Sequence, residues 1–316
     1  MNAKSNKIKE FFSMPLYEKE FVVANKFYKL LREKVSAAHH YVFENRSRSC
    51  DNLILIFIEA NSNNWNITLS KIKEGIDISK EQFDVCICVF NSNEYNCNLK
   101  RLKEIAHENS WSILFTYEKQ ESIALETAIN LHPVANWIYK IDDNILVPSN
   151  YFEQLKLAYK HSVEAMPIYP GFLLPCVDVS TTGSISFLKA INQWNLFVNQ
   201  FDKNGFYLKE NNCPFLLEPF LKDKKIISWI DERTTPFEEV ANIVFNNNHD
   251  ELLWTPFKVS TEAILFERAF AEGVKKFNVG TIGSFYLNDD QLNGYCMANN
   301  LGIYIDESLL VKRTDI

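Results

Sequence analysis

Asn52-Leu-Ile-Leu-Ile-Phe-Ile-Glu59 is an almost unbroken apolar run of strand length. A strand with one solvated face alternates apolar and polar residues, whereas a run apolar at every position suits a parallel strand covered on both faces. Phe83-Asp-Val-Cys-Ile-Cys-Val-Phe90 repeats the pattern, and Trp111 to Tyr117 and Ala135 to Ile141 continue it. Between these runs lie helix-period segments at Ile67 to Glu74, Leu99 to Glu108 and Ser122 to Leu131. The alternation predicts an α/β fold with a mostly parallel central sheet and helices on both faces.

In such sheets ligands bind beyond the carboxyl ends of the strands. Glu59, Asn91 and Asp142-Asp143-Asn144 all fall at those ends and so form one candidate site. Alternate residues Asp142 and Asn144 can face the same way where the chain leaves the fourth strand. Carboxylate and amide oxygens suit Mg²⁺ or Mn²⁺, which would bridge to a diphosphate. The competing reading is a turn cap, since Asp and Asn are common turn residues. The place of the motif after the fourth strand of an alternating series argues against that reading.

The rest of the chain is less regular. Residues 1–48 read as an amphipathic helical extension; packing on the main domain, pairing with another subunit and contact with a membrane surface are its three uses. Residues 49–316 read as one domain, in which 49–150 holds the alternating series and 151–316 the less regular part. In the second half, helices are expected at 151–165, Ser186 to Phe201, Glu267 to Gly273 and Asp289 to Asn299. Extended pieces are expected at Tyr169 to Pro175 and Val259 to Phe266, with two short terminal strands at Ile303 to Ile305 and Leu309 to Lys312. Residues 204–258 read as loop-rich.

Composition sets outer limits. The chain has 316 residues, 47% hydrophobic, and a net charge of -7, which supports a sizeable core and speaks against a nucleic-acid partner. The seven cysteines show no zinc-ligand spacing and read as buried thiols of a reducing compartment. No signal peptide and no membrane-length apolar window are visible, so a cytoplasmic location is expected, with the inner face of a membrane as a variant of it. P-loop, G-x-G-x-x-G and G-x-S-x-G motifs are absent. Gly183 to Ser186 reads as a loop before a helix, or as part of the lining of a ligand pocket. His39-His40, His249, Trp194, Trp229 and Trp254 read as surface or core residues rather than ligands.

Four stretches resemble glycosyltransferases of the GT-A fold, in particular the family-2-like inverting group. They are Leu53 to Glu59, Ser122 to Asp143 with its DxD-like end, Lys258 to Arg268, and Phe277 to Tyr286 running into Asn288-Asp289-Asp290. The resemblance implies transfer of a sugar from a nucleotide-sugar donor to a glycan or glycolipid acceptor, such as a surface polysaccharide or lipooligosaccharide. It implies donor contacts at Glu59, Asn91, Asp142 and Asp143, and a divalent ion (Mn²⁺ or Mg²⁺) at Asp142 and Asn144. It implies a catalytic carboxylate at Asp290, or failing that Asp289. Asn144 departs from the pattern, since the family has an acid there. That weakens the metal and raises the prospect of help from Lys140, Arg233, Arg268, Lys312 or Arg313. The alternatives are a catalytically inactive nucleotide- or glycan-binding protein and a sugar nucleotidyltransferase. The latter needs a glycine-rich basic loop after the first strand, where Glu59-Ala-Asn-Ser-Asn-Asn-Trp65 stands instead.

Overall fold

The computed structural model describes residues 41–62, 64–92, 97–117, 119–181, 183–202, 218–248, 251–277 and 287–314. Strands β2 (Asn52–Glu59), β3 (Phe83–Phe90), β4 (Ser112–Thr116) and β5 (Trp137–Asp142) alternate with helices α1 (Trp65–Ile78), α2 (Cys97–Glu108) and α3 (Glu121–Leu131). These four strands are mutually parallel in the order β4-β3-β2-β5. The chain therefore winds outward through β3 and β4, then crosses back to the other side of β2. The crevice of such a sheet lies at this reversal, between the carboxyl ends of β2 and β5.

Period-two alternation divides β2 between two cores. Ile54, Ile56 and Ile58 meet α1, α2 and α4 (Tyr151–Ala165) on one face. Leu53, Leu55 and Phe57 meet α3, α10 (Arg268–Phe277) and α11 (Asp289–Ala298) on the other. This is the fold the unbroken apolar run requires, and it agrees with the GT-A, Rossmann-like arrangement.

Beyond β5 the sheet continues through β9 (Ala263–Glu267), β7 (Pro170–Val177) and β10 (Gly302–Arg313). β9 is antiparallel to both β5 and β7, whereas β10 is parallel to β7. Reversing β9 has a consequence for the site: the segment that enters it, residues 258–262, returns to the carboxyl end of β5. At its other end Arg268 reaches under the sheet. Its guanidinium donates to the carbonyls of Ala135 (2.6 Å), Ile129 (3.2 Å) and His132, tying off the end of α3 and the approach to β5. Arg268 is thus structural, at the other end of β9 from the strand-end cluster for which it was one of five candidate cations.

Several expectations are corrected. Tyr41–Glu44, inside the expected helical extension, is an edge strand, β1, paired antiparallel with β4; residues 1–40 lie outside the described residues. The expected helix from Ser186 to Phe201 is two, α5 (Ser184–Ala190) and α6 (Trp194–Phe201), broken where Asn192 adopts φ 59°. The loop-rich stretch contains α7 (Glu218–Leu221), α8 (Lys224–Arg233), α9 (Phe237–Asn247) and β8 (Leu252–Trp254). Helices α5, α6, α8 and α9 close over a third core, in which Phe197 meets the Trp229 ring edge-on at 5.5 Å. The two expected terminal strands are one, β10, with a register shift between Asp306 and Leu310. A two-residue strand, β6 (Ile145–Leu146), pairs with the end of β10. Cys50, Cys86, Cys88, Cys176 and Cys296 are buried free thiols. Among the described residues no helix is long and apolar enough to cross a membrane.

Replacing Arg268 with alanine strands buried carbonyls at the end of α3. A charged hydrogen bond contributes roughly 1.5–3 kcal/mol, so Arg268→Ala should lower unfolding free energy by about 3 kcal/mol in a denaturant titration. A change within error would show that these bonds do not hold α3 to the sheet.

Candidate active site

The sheet reversal brings Glu59 and Asp142 to neighbouring strand ends, with Asp142 level with Phe57 in the β2–β5 register. Asn91 follows β3 with φ 55°, a left-handed conformation that Asn tolerates better than most residues. The turn this makes points its amide back, and Nδ2 donates to Glu59 Oε1 at 3.2 Å. Backbone bonds from Ala60 to Phe90 (3.1 Å) and from Ser92 to Thr116 (3.1 Å) stitch the three strand ends together. Glu59 and Asn91 are therefore paired at the rim, as their sequence positions suggested.

The acidic motif sits beside a buried cation. Lys140 and Asp142 are two apart on β5 and share a face. The Lys140 side chain is 4% exposed, and its ammonium meets Asp142 Oδ1 at 2.5 Å, Glu121 Oε1 at 2.8 Å and the Thr261 carbonyl at 2.8 Å. It also lies 5.3 Å from the centre of the Phe57 ring. Glu121 is delivered by the first turn of α3, the helix that covers this face of the sheet. Burial works against the ammonium, but Asp142 and Glu121 hold its pKa above the ordinary lysine value. Burial pushes the Asp142 carboxyl up, and Glu121 adds to this while Lys140 opposes it.

Asp143 and Asn144 turn the chain away from the strand. The Asp143 amide donates to Phe57 O (3.0 Å), and Thr68 donates to the Asp143 carbonyl (2.7 Å). The Asn144 carbonyl accepts from the Thr314 amide at 2.8 Å. Asn144 Oδ1 is closed to solvent and makes no hydrogen bond. A divalent ion holding phosphate in the cleft needs ligand oxygens that open onto the cleft. Here one oxygen of Asp142 is taken by an ammonium, and the amide oxygen of Asn144 is neutral and sealed. The residues present do not fit a resident divalent ion at Asp142 and Asn144.

The second acidic pair reaches the same place through the reversed strand. Asn288 caps α11, its side chain accepting from the Gln291 amide. Asp289 follows and accepts a hydrogen bond from Thr261 Oγ1, while Thr261 O accepts from Lys140. Asn293 locks the approach: its Oδ1 accepts from Val259 N (2.9 Å) and its Nδ2 donates to Val259 O (3.1 Å). Asp142 and Asp289 are thus joined through Lys140 and Thr261. Asp290 differs. Its side chain is 77% exposed, with one oxygen 2.6 Å from Lys258 Nζ. Both acids are at a helix start, where the macrodipole favours negative charge. Residues 278–286, the rest of this stretch of the resemblance, lie outside the described residues, as does His249.

The other cations named from sequence have separate partners. Arg233 lies over the Trp229 ring at 3.4 Å, and Lys312 pairs with Asp231 at 2.8 Å. Arg313 does belong to the cleft: it is level with Ile145 in the β6–β10 register and lies 3.5 Å from Glu262, the residue whose carbonyl receives the Asp142 amide. It also lines a cavity of about 530 Å³ with Val179, Lys224, Ser228 and Asp231. A second cavity, about 450 Å³, lies past the ends of β3 and β4, lined by Ser92, Lys100, Lys103, Phe115 and Tyr117. The Gly183 to Ser186 segment lines neither. Ser184 Oγ donates within its own turn and Ser186 donates to Glu307, so these hydroxyls are structural. Trp194 stacks on Phe197, a core contact.

Sequence reading missed Asp178, which stands just past the end of β7, much as Glu59 ends β2. It is fully buried; Oδ1 accepts from Val179 N (2.8 Å) and Arg313 N (3.0 Å), and Oδ2 has no partner. Burial pushes its carboxyl up to about 6 against those two amide bonds. Because the folded value exceeds the unfolded one of about 3.9, the folded state holds this proton more tightly. Its contribution to stability is therefore complete below about pH 4 and is lost as pH rises toward about 6, an amount near 3 kcal/mol. Asp178→Asn removes the titration, so its stability relative to the parent should climb by about that amount between pH 4 and pH 7 in denaturant titrations. A difference flat across that range would contradict the burial of an ionised Asp178.

No protein-family profile matches the chain, and no curated protein matches it in sequence. Solved structures do match it. One is the mannosyltransferase PcManGT from Pyrobaculum calidifontis in complex with GDP-Man and Mn²⁺. The two are 13% identical with a TM-score of 0.46, over 93% of this chain and 67% of that one. A likeness of that size carries no residue-by-residue correspondence.

Proposed function

We propose that this chain is an inverting glycosyltransferase that moves a sugar from a nucleotide-sugar donor to a hydroxyl of a glycan or glycolipid acceptor. The observation that supports it is the chain of contacts from Asp142 through Lys140 and Thr261 to Asp289. It draws two acidic sites, remote in sequence, to one cleft at the sheet reversal, with the exposed Asp290 beside them.

On this reading Glu59 and Asn91 receive hydroxyls and base edges of the nucleoside, with the cavity at Ser92 and Tyr117 extending that side. Asp142 and Asp143 flank the diphosphate side, in the nucleotide-binding half of the domain. The acceptor enters from residues 151–316, by way of the cavity at Lys224, Ser228 and Arg313. Asp290 is the base. An acid that must meet an incoming substrate has to be reachable, and Asp290 is exposed whereas Asp289 is held by Thr261. The Asp290 carboxylate takes the proton of the acceptor hydroxyl as its oxygen bonds to the anomeric carbon. The bond from that carbon to the phosphate oxygen breaks on the opposite side, and the nucleoside diphosphate leaves. Asp289 is a positioning residue that sets the start of α11. The divalent ion that the resemblance places at Asp142 and Asn144 has no step here, since those residues do not fit it.

An inactive nucleotide-binding protein is the second reading, favoured by Asn144 at a position where the resembled family has an acid. A thermal-shift screen of UDP, GDP, CMP and TDP compounds separates the possibilities. At least one should raise the melting temperature, and no rise with any would overturn the nucleotide site. General-base catalysis contributes typically about 10²–10⁴-fold, so Asp290→Asn should cut turnover by that order and leave nucleotide affinity nearly unchanged. Undiminished transfer would remove Asp290 from the role, and binding without turnover in the parent protein would favour the second reading.

A further inference from the structure

The strand end where a divalent ion is expected carries a cation of its own. All three protons of the Lys140 ammonium are committed, to Asp142 Oδ1, Glu121 Oε1 and the Thr261 carbonyl. The lysine therefore cannot itself ligate a diphosphate, and its effect is on the charge and orientation of Asp142. Without it, Asp142, Glu121 and Glu262 would present three carboxylates around one strand end. With it, and with Arg313 at 3.5 Å from Glu262, the cluster carries two cations against three anions. A divalent ion on Asp142 would sit beside the ammonium and be repelled by it. Nor does Asn144, the other expected ligand, help, because its Oδ1 is sealed from the cleft.

We propose that Lys140 does internally what a divalent ion would do at this strand end, neutralising Asp142, so that the cleft takes a nucleoside diphosphate without a metal. The inference rests on the reading of the cleft as a nucleotide site. Asp142 is then a fixed, charge-balanced acceptor for donor hydroxyls. The negative charge of the diphosphate falls to Arg313, which lies beside Glu262 where the cleft meets the acceptor cavity.

Two measurements on the full chain test this. The first is the electron paramagnetic resonance signal of Mn²⁺ mixed with protein and no nucleotide. The signal should stay that of the free ion, and loss of it to a site on the parent protein would overturn the proposal. The second is calorimetric titration with UDP and GDP in EDTA and in Mn²⁺. Affinity for whichever binds should agree within about twofold between the two conditions, and binding that requires Mn²⁺ would overturn the proposal. No binding in either condition, with Mn²⁺ still free, would instead sink the nucleotide reading and this proposal with it. Lys140→Met frees Asp142 and Glu121, so it should capture Mn²⁺ and become Mn²⁺-dependent for nucleotide. Asn144→Asp keeps Lys140 in place and should leave Mn²⁺ free; capture by that variant would show that Asn144, not Lys140, is what excludes the ion. If Lys140→Met does not fold, the parent protein and Asn144→Asp decide.

Discussion

An ammonium enclosed in a parallel sheet is costly unless every proton on it is met. Removing one partner of a buried charge pair costs roughly 3–5 kcal/mol. Lys140 is met three times over, and each partner comes from a different element: Asp142 from β5, Glu121 from α3 and Thr261 from the approach to β9. Satisfying this one charge therefore fixes how α3, β5 and β9 converge. It also fixes the site, because Thr261 in turn holds Asp289 at the head of α11. The reversed direction of β9 makes this possible. A parallel strand there would place its entry at the amino ends of the strands, away from Asp142.

Much of the first half was legible because its strands are buried on both faces, leaving a signal that no exposed strand imitates. Tyr151–Ala165 was read to its ends for a related reason: it sits on a large core that enforces helical spacing. The second half hid its helices. Pro236 looks like a breaker but stands at the N-cap of α9, where proline is harmless, and Val240, Ala241 and Val244 then face a small satellite core. The break at Asn192 left no gap in the apolar pattern of α5 and α6. At the bend in β10, Asp306 Oδ1 accepts from the amide and hydroxyl of Ser308, so a polar interruption reads as a loop yet lies inside one strand. β1 is a short edge strand with Tyr41 and Val42 exposed, held by backbone pairing that side-chain patterns do not encode.

The candidate site was legible by position and not by partnership. Glu59, Asn91 and Asp142 stand out because polar residues end apolar strands, and Asp178 carried the same signal unread. What makes Asp142 unlike a metal ligand is Lys140. A lysine between Tyr139 and Ile141 in a strand gives no hint of its partners, since Glu121 and Thr261 belong to other elements. Likewise the adjacent acids Asp289 and Asp290 look equivalent in sequence. Packing separates them, one anchored to Thr261 and the other open to solvent beside Lys258.

On the proposed function, the carboxyl ends of β2, β3 and β5 and the head of α11 form one nucleotide cleft. Hydrogen–deuterium exchange with and without a saturating nucleoside diphosphate tests it most directly. Exchange should slow in peptides that cover Glu59, Asn91, Asp142 to Asn144 and Asp289-Asp290 together. Protection confined to other segments, or at only one of these strand ends, would contradict it.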